Sequence, residues 1–290
     1  MKRRFFIAMS VVSAFVMGLL MVSCSSESNT LSPNEDAVFA ESIQQVEETS
    51  SEEWEAFNAA IEELNAQYFP QNSTACYAFL SDSMKNDDDT NELKKQIVYA
   101  DIDGAIVGAG IGGALGGVNG AIIGAILVGA YESYKEYDLS RNEAIITTNA
   151  LKTINNINGT SIGIEVGIRH NVLIDKLIKG KITFNNISDR QAMNLLINQY
   201  ESLYSTINAG LKSALLGDTS VRVPDINSNV RQANQNFRLS VANLSTSNLR
   251  NYTTEYLSIV DRTISNDTDK MYMSTYASQM YYSTALWVVL

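Results

Sequence analysis

The chain is poor in the residues that carry chemistry. Its 290 residues contain one histidine and two cysteines. A single histidine, His170, leaves a metal or general-base site without the second nitrogen ligand or the nearby partner that such sites use. Basic residues are also missing where nucleic acid binding would need them. Residues 25–84 hold twelve Asp or Glu and no Lys or Arg, and residues 85–290 balance twenty acids against eighteen bases. Phosphate recognition needs a clustered basic surface, so no nucleic acid partner is expected. A third absence is the most informative: residues 104–131, 28 in all, contain no charged side chain.

That uncharged stretch is dominated by glycine. Gly104, Gly108, Gly112, Gly116, Gly120 and Gly124 recur strictly every four residues, with Gly110, Gly113, Gly117 and Gly129 added. On an α-helix this spacing aligns them on one face, a smooth groove that lets another backbone approach closely. Ten helical glycines cost on the order of 10 kcal/mol relative to alanine. An isolated exposed helix would not survive that, so the segment belongs inside lipid or deep in a bundle. As one straight helix it would run about 42 Å, longer than the roughly 30 Å hydrocarbon core of a bilayer. Broken near Gly116-Gly117-Val118-Asn119, with Asn119 capping the second half, it becomes a hairpin of two arms of about 18 Å each, too short to span. The favoured expectation is a helical hairpin packed on itself. A single transmembrane helix and a membrane-inserted oligomer are the alternatives.

The first 24 residues look like an address. Lys2, Arg3 and Arg4 precede an uncharged run that ends at Met21-Val22-Ser23-Cys24. A secretory signal ending in cysteine rather than in an A-x-A site resembles that of a bacterial lipoprotein. This implies cleavage before Cys24, acylation of its thiol and new amino group, and attachment to the lipid bilayer, because each buried methylene adds about 0.8 kcal/mol. Ser25-Ser26-Glu27-Ser28-Asn29 reads as a tether. With Cys24 lipidated, Cys76 stands alone and no intramolecular disulfide forms. The acidic segment next to the anchor would be repelled by an anionic membrane surface.

Helical signals fill most of what remains. Residues 1–23 read as signal peptide, 24–34 as tether, 35–89 as an acidic helical region with its linker, and 90–157 as the glycine-zipper hairpin. Residues 158–290 read as a C-terminal helical bundle able to form one domain with 90–157. Ser32-Pro33-Asn34-Glu35 opens a short helix with Phe39, Ile43 and Val46 inward. Ser50 and Glu53 have capping-box spacing ahead of Trp54, Phe57, Ile61, Leu64 and Tyr68, and Pro70 stops that helix. Asp87-Asp88-Asp89 caps a helix that carries Leu93 and Ile97 into the zipper and continues after it from Tyr131 to Ile157. His170, Leu173, Ile174, Leu177 and Ile178 form a stripe ended by Gly180 as C-cap. Ser188 and Gln191 open another helix, with Met193, Leu196, Tyr200, Leu203 and Ile207. Ile226, Val230, Ala233, Phe237, Val241 and Leu244 form a third, and two more are expected from Asn248 and from Asp267. Only Lys181 to Phe184 and Ser220 to Val223 look extended. The fold class expected is all-α, a bundle of about seven to nine helices containing the hairpin.

Together the lipobox, the Ser/Glu-rich tether, Asp101-Ile102-Asp103-Gly104-Ala105 and Val166-Gly167-Ile168-Arg169-His170-Asn171 resemble the uncharacterised glycine-zipper lipoproteins of the Bacteroidota. The resemblance implies an envelope location, lipid-anchored at the outer membrane on its periplasmic or outer face, and carries no activity. In that lineage O-glycosylation follows Asp, then Ser or Thr, then a small or apolar residue, and Asp82-Ser83-Met84 fits, with Ser83 as acceptor. No catalytic residues, metal or cofactor are expected. Asp87-Asp88-Asp89 lacks the alternating ligands and turn glycine of a calcium loop, and no Lys-Ser or Lys-Thr follows the glycines to make a nucleotide loop. Two functions from different classes remain. One is an outer-membrane lipoprotein with a structural or interaction role, its zipper serving close helix packing, membrane association, or contact with another copy or an envelope protein. The other is a secreted, membrane-active toxin that forms pores or kills bacteria, against which the lack of a basic helix face argues.

Overall fold

The computed structural model describes residues 49–69, 88–140, 157, 164–222, 225–244 and 246–289. The expected lipidation site Cys24, Cys76, Ser83 and the helix expected after Pro33 lie outside the described residues. Residues Glu47–Leu290 form one compact unit. It is all-α: eight helices, and no strand among the described residues. In chain order they are α1 (Ser51–Tyr68), α2 (Asp88–Ser140), α3 (Ile164–Lys179), α4 (Asp189–Leu203), α5 (Ala209–Leu215), α6 (Ser228–Asn243), α7 (Thr246–Thr263) and α8 (Asp267–Thr284), and a π-helical turn, Ala285–Val289, closes the chain.

Local chemistry sets the helix ends. Ser50 Oγ accepts from Glu53 N–H while the Glu53 carboxylate accepts from Ser50 N–H, a complete capping box at the start of α1. Ser188 and Gln191 repeat the device at α4. Asn208, Asn227 and Asn266 cap α5, α6 and α8 through their side-chain oxygens. At the end of α3 Ile182 N–H donates to Leu177 O and Lys181 N–H to Ile178 O, the paired bonds of a Schellman turn. Its left-handed residue is Lys181, at φ 51°, one position after the expected cap Gly180.

Helix α8 is the axis of the unit. It packs against α2, α3, α6 and α7, and every residue from Met271 to Thr284 is buried. Helix α1 lies on α7, and α4 and α5 lie on α2. One continuous core follows, running from Trp54 and Phe57 through Ile126, Leu173, Leu196, Phe237 and Tyr256 to Trp287.

Several sequence expectations need correction. The helix after the zipper is described as far as Ser140; residues 141–156 of the expected continuation to Ile157 lie outside the described residues, and Ile157 itself is buried but not helical. Ile207 is buried but not in α4, which ends at Leu203 before the chain re-enters the core and restarts as α5. Among the described residues of the two stretches expected to be extended, both are irregular connections.

Candidate functional site

The hairpin is the first element of the site, and its geometry follows from the glycine spacing. Helix α2 breaks at Gly116 (φ −150°, ψ 17°) and Gly117 (φ 57°, ψ −148°), and the two arms return antiparallel. A methyl placed on Gly112 would stand 1.9 Å from Gly120 O, and one on Gly120 would stand 2.2 Å from Gly112 O. Gly108 and Gly124 face each other the same way, at 2.1 and 2.0 Å, and Gly104 faces Val128 O at 2.7 Å. These partners are symmetric about Gly116, so backbone lies against backbone with no room for a side chain. Such contacts place Cα–H groups against carbonyl oxygens, a weak attraction that recurs between close helices.

Gly116 itself is a correction. It was expected in the packing face with the other five, but it lies at the exposed turn, where a methyl would meet only Asn208 Nδ2 at 3.4 Å. The reason is geometric: in a self-paired repeat of six, the residue on the symmetry axis has no partner to face. Gly117, with φ of 57°, is the residue that needs glycine's freedom at this turn.

Where the hairpin meets the bundle, the structure gathers a buried polar node. His170 on α3 is fully buried, as are Asp101 on the first arm, Ser133 on the second and Gln279 on α8. His170 Nε2 stands 3.0 Å from Asp101 Oδ1 and 3.3 Å from Ser133 Oγ. Its Nδ1 is 2.9 Å from Asn171 Oδ1. Asn171 Nδ2 donates to Tyr282 O at 3.1 Å, which turns its amide so that the oxygen faces the ring. Nδ1 therefore carries a hydrogen, and the contact between Nε2 and Asp101 is attractive only with a further proton held between them. Gln279 Nε2 donates to the same Asp101 oxygen. Gly129 lets the second arm approach this place, since a methyl on it would fall 2.9 Å from Asp101 Oδ1. Gly167 does the same for Tyr282, whose ring carbon would lie 2.3 Å away.

The composition of the node suggests a Ser–His–Asp triad, but its geometry does not match one. A triad places the acid on one ring nitrogen and the nucleophile on the other. Here Asp101 and Ser133 share Nε2, and the far nitrogen serves Asn171. All of these side chains are also shut off from solvent. The arrangement is suited to holding four segments in register. Asp101 Oδ2 and Gln279 Oε1 have no hydrogen-bond partner among the described residues.

A second polar attachment lies at the base of the hairpin. Asp138 accepts from Thr183 Oγ1 at 2.9 Å and Phe184 N–H at 2.7 Å, and Tyr134 donates to Ile182 O at 2.6 Å. Lys135 bridges Tyr131 and Asp189. The Tyr131 hydroxyl, followed by Lys135, holds the Asp189 carboxyl below its usual range. Burial pushes Glu132 and Glu136, on the same arm, upward. An open depression beside these residues, lined by Tyr131, Lys135, Leu139, Phe184 and Asn185, has a volume of about 100 Å³.

Sequence reasoning identified His170 but not Asp101, Ser133 or Gln279 as its partners. The one available signal was an acid three residues before the first zipper glycine, Gly104, on a face otherwise made of Gly, Ala and Ile. Among the described residues no group of three or more His, Cys, Asp or Glu is arranged to hold a metal ion. No family model, curated protein or solved structure matches this chain. Function is therefore argued from its own residues.

Proposed function

We propose that this protein is an envelope lipoprotein, held at the outer membrane by acyl chains on Cys24, with a structural or interaction role and no catalytic activity. The observation that carries the reading is the N-terminal pattern of three bases, an uncharged run and a cysteine followed by a polar tether. The hairpin fits this role. Its packed glycines face each other within the chain, which leaves only the outer faces of the arms for another copy, an envelope protein or lipid. The node around His170 fits it as well, since it ties elements together and has no opening for a substrate. Ser83 is the glycan acceptor on this reading.

Metabolic labelling with a clickable fatty acid tests the anchor. The wild type is expected to take the label and fractionate with outer membrane, and Cys24→Ser to lose both. Equal labelling of the two would end the lipoprotein reading. A membrane-active toxin is the second reading, favoured by one observation: by length and composition, the segment Leu93–Leu139 is apolar enough to cross a bilayer. Dye release from vesicles at low protein-to-lipid ratio would support it, and intact vesicles would remove it.

A further inference from the structure

We propose that the turn of the hairpin is a second membrane contact, a blunt wedge that seats in the interfacial layer of a lipid bilayer. Residues 114–119 are six consecutive exposed residues, with Leu115 at 38% and Val118 at 37% relative exposure. Asn208, the N-cap of α5, lies against Gly116. The segment it belongs to, residues 204–210, is exposed except at Ile207. Neither segment carries a charge. The nearest charges on the arms themselves are Asp103 and Glu132, 13 and 16 residues from Gly116, or about 20 Å and 24 Å along a helix.

Charge and size select lipid as the occupant. The chain carries a net charge of −11, which repels both an anionic surface and another copy of itself. The turn itself carries no charge, and the charges beside residues 204–210 are paired, Glu201 with Lys212 and Arg169 with Glu165, so this is where such a molecule can approach a bilayer with the least penalty. A stable interface with a folded partner needs about 800 Å² on each side, with matching shape. Six residues on a narrow turn offer less, whereas a fluid interface fits itself to a wedge. The turn also sets the depth. The backbone at Gly116 and Gly117 leaves the helical hydrogen-bond pattern and Asn119 adds an amide, so the tip belongs at headgroup level, where water remains, rather than in hydrocarbon. The proposal rests on the lipoprotein reading in one respect: acyl chains on Cys24 raise the local concentration of a contact that would be weak alone.

The test is made on the full chain in vesicles of phosphatidylethanolamine and phosphatidylglycerol, with a tryptophan placed at the tip. Trp54 and Trp287 are buried and give a constant background. Leu115→Trp is compared with Leu239→Trp, an exposed site on α6 whose neighbour Arg238 stacks on Tyr99 near the base of the hairpin. Dibrominated phosphatidylcholine is expected to quench the tip tryptophan at least about twofold more than the one at 239, with emission moved to shorter wavelength. Equal quenching at both sites would overturn the proposal. Leu115→Cys crosslinking between copies in lipid-free solution, without preferential quenching in lipid, would also overturn it in favour of self-association. Intact mass reports acylation of the same sample separately. In a Cys24→Ser chain mixed with excess vesicles, Leu115→Asp is expected to lower residual binding several-fold, so the tip can fail or succeed whatever the fate of the anchor.

Discussion

The hairpin and the aromatic half of the core exclude water by opposite means. In the hairpin the arms close until backbone meets backbone, and the filling atoms are main chain. Around α6, α7 and α8 the space is filled by large rings: Phe237 and Tyr256 centroids lie 4.3 Å apart, and Phe57 and Trp54 continue the chain edge-on. Burial first, and the neighbouring Tyr252 and Tyr276 after it, hold the Tyr256 hydroxyl well above its usual pKa, the mark of a dry interior. Rings can tilt and slide when a neighbour changes, but two backbones in contact have no such freedom. The first kind of core should therefore be intolerant of one added carbon, and the second should absorb a change of shape.

The largest effect is expected where the two regions are joined. Asp101 and Ser133 come from the hairpin, and His170 and Gln279 from the helices around it. Replacing Asp101 or His170 singly by leucine strands the other group in a dry interior, at an expected cost of about 3–5 kcal/mol. The double variant removes both partners, and its loss should fall well short of the sum, which a double-mutant cycle in chemical denaturation would measure. Additive losses would mean that the two side chains do not interact. Separate transitions for hairpin and aromatic core would mean that the node does not couple them.

Next in size is the carbon test itself. Gly112→Ala puts a methyl 1.9 Å from a carbonyl oxygen that cannot turn away. The arms must part, and the expected loss is about 1–3 kcal/mol or more despite alanine's better helix propensity. Gly113→Ala, one residue on, meets only the Ala121 methyl at 3.7 Å and should gain up to about 1 kcal/mol. In the aromatic half, Leu257→Met reshapes a fully buried side chain at a cost below about 1.5 kcal/mol. Thermal melts of the three variants decide. If Gly112→Ala and Gly113→Ala melt alike, the close approach of the arms is wrong.

Much of this was legible from residue order, because the signals were local. The capping boxes at Ser50 and Ser188 and the stripe from Val230 to Leu244 each depend on residues three or four apart, and each lies where that spacing places it. A break at Gly116-Gly117 was readable for the same reason, since two adjacent glycines beside Asn119 weaken one point of a long helix. What escaped was non-local. His170 meets Asp101 across 69 positions of chain, and Gln279 meets Asp101 across 178. No periodicity within one helix encodes either pairing. Gly116 escaped differently: its spacing is that of the zipper, but its environment depends on the symmetry of the folded hairpin rather than on the repeat.

The smallest effect separates the two regions by the sign of their response to acid. Glu53 caps α1 and also accepts from Ser265 N–H at 2.9 Å. A hydrogen bond from the Ser265 side chain, ahead of the ones from the Ser50 and Ser265 N–H groups, brings its pKa down from 4.5 to about 2. A carboxyl depressed on folding contributes stability that is fully present above its unfolded value and lost as pH falls through its folded one. The attachment of α1 should therefore weaken between about pH 4.5 and about pH 2. At the base of the hairpin the main carboxyls lie the other way. Burial raises Glu132 and Glu136, so their charged forms cost stability at neutral pH, and protonation relieves that cost as the solution is acidified. The depressed Asp189, on α4, opposes them there. Mild acid should thus loosen α1 before it loosens the hairpin. Trp54, 6% exposed on α1, reports the first event by its emission, and amide exchange along α2 reports the second. Glu53→Gln keeps an acceptor at the cap but removes the titrating charge, so the Trp54 response over this range should flatten while α2 exchange stays as in the wild type. If α2 opens first, or the Trp54 response is unchanged in Glu53→Gln, the attachment of α1 does not depend on the Glu53 carboxylate.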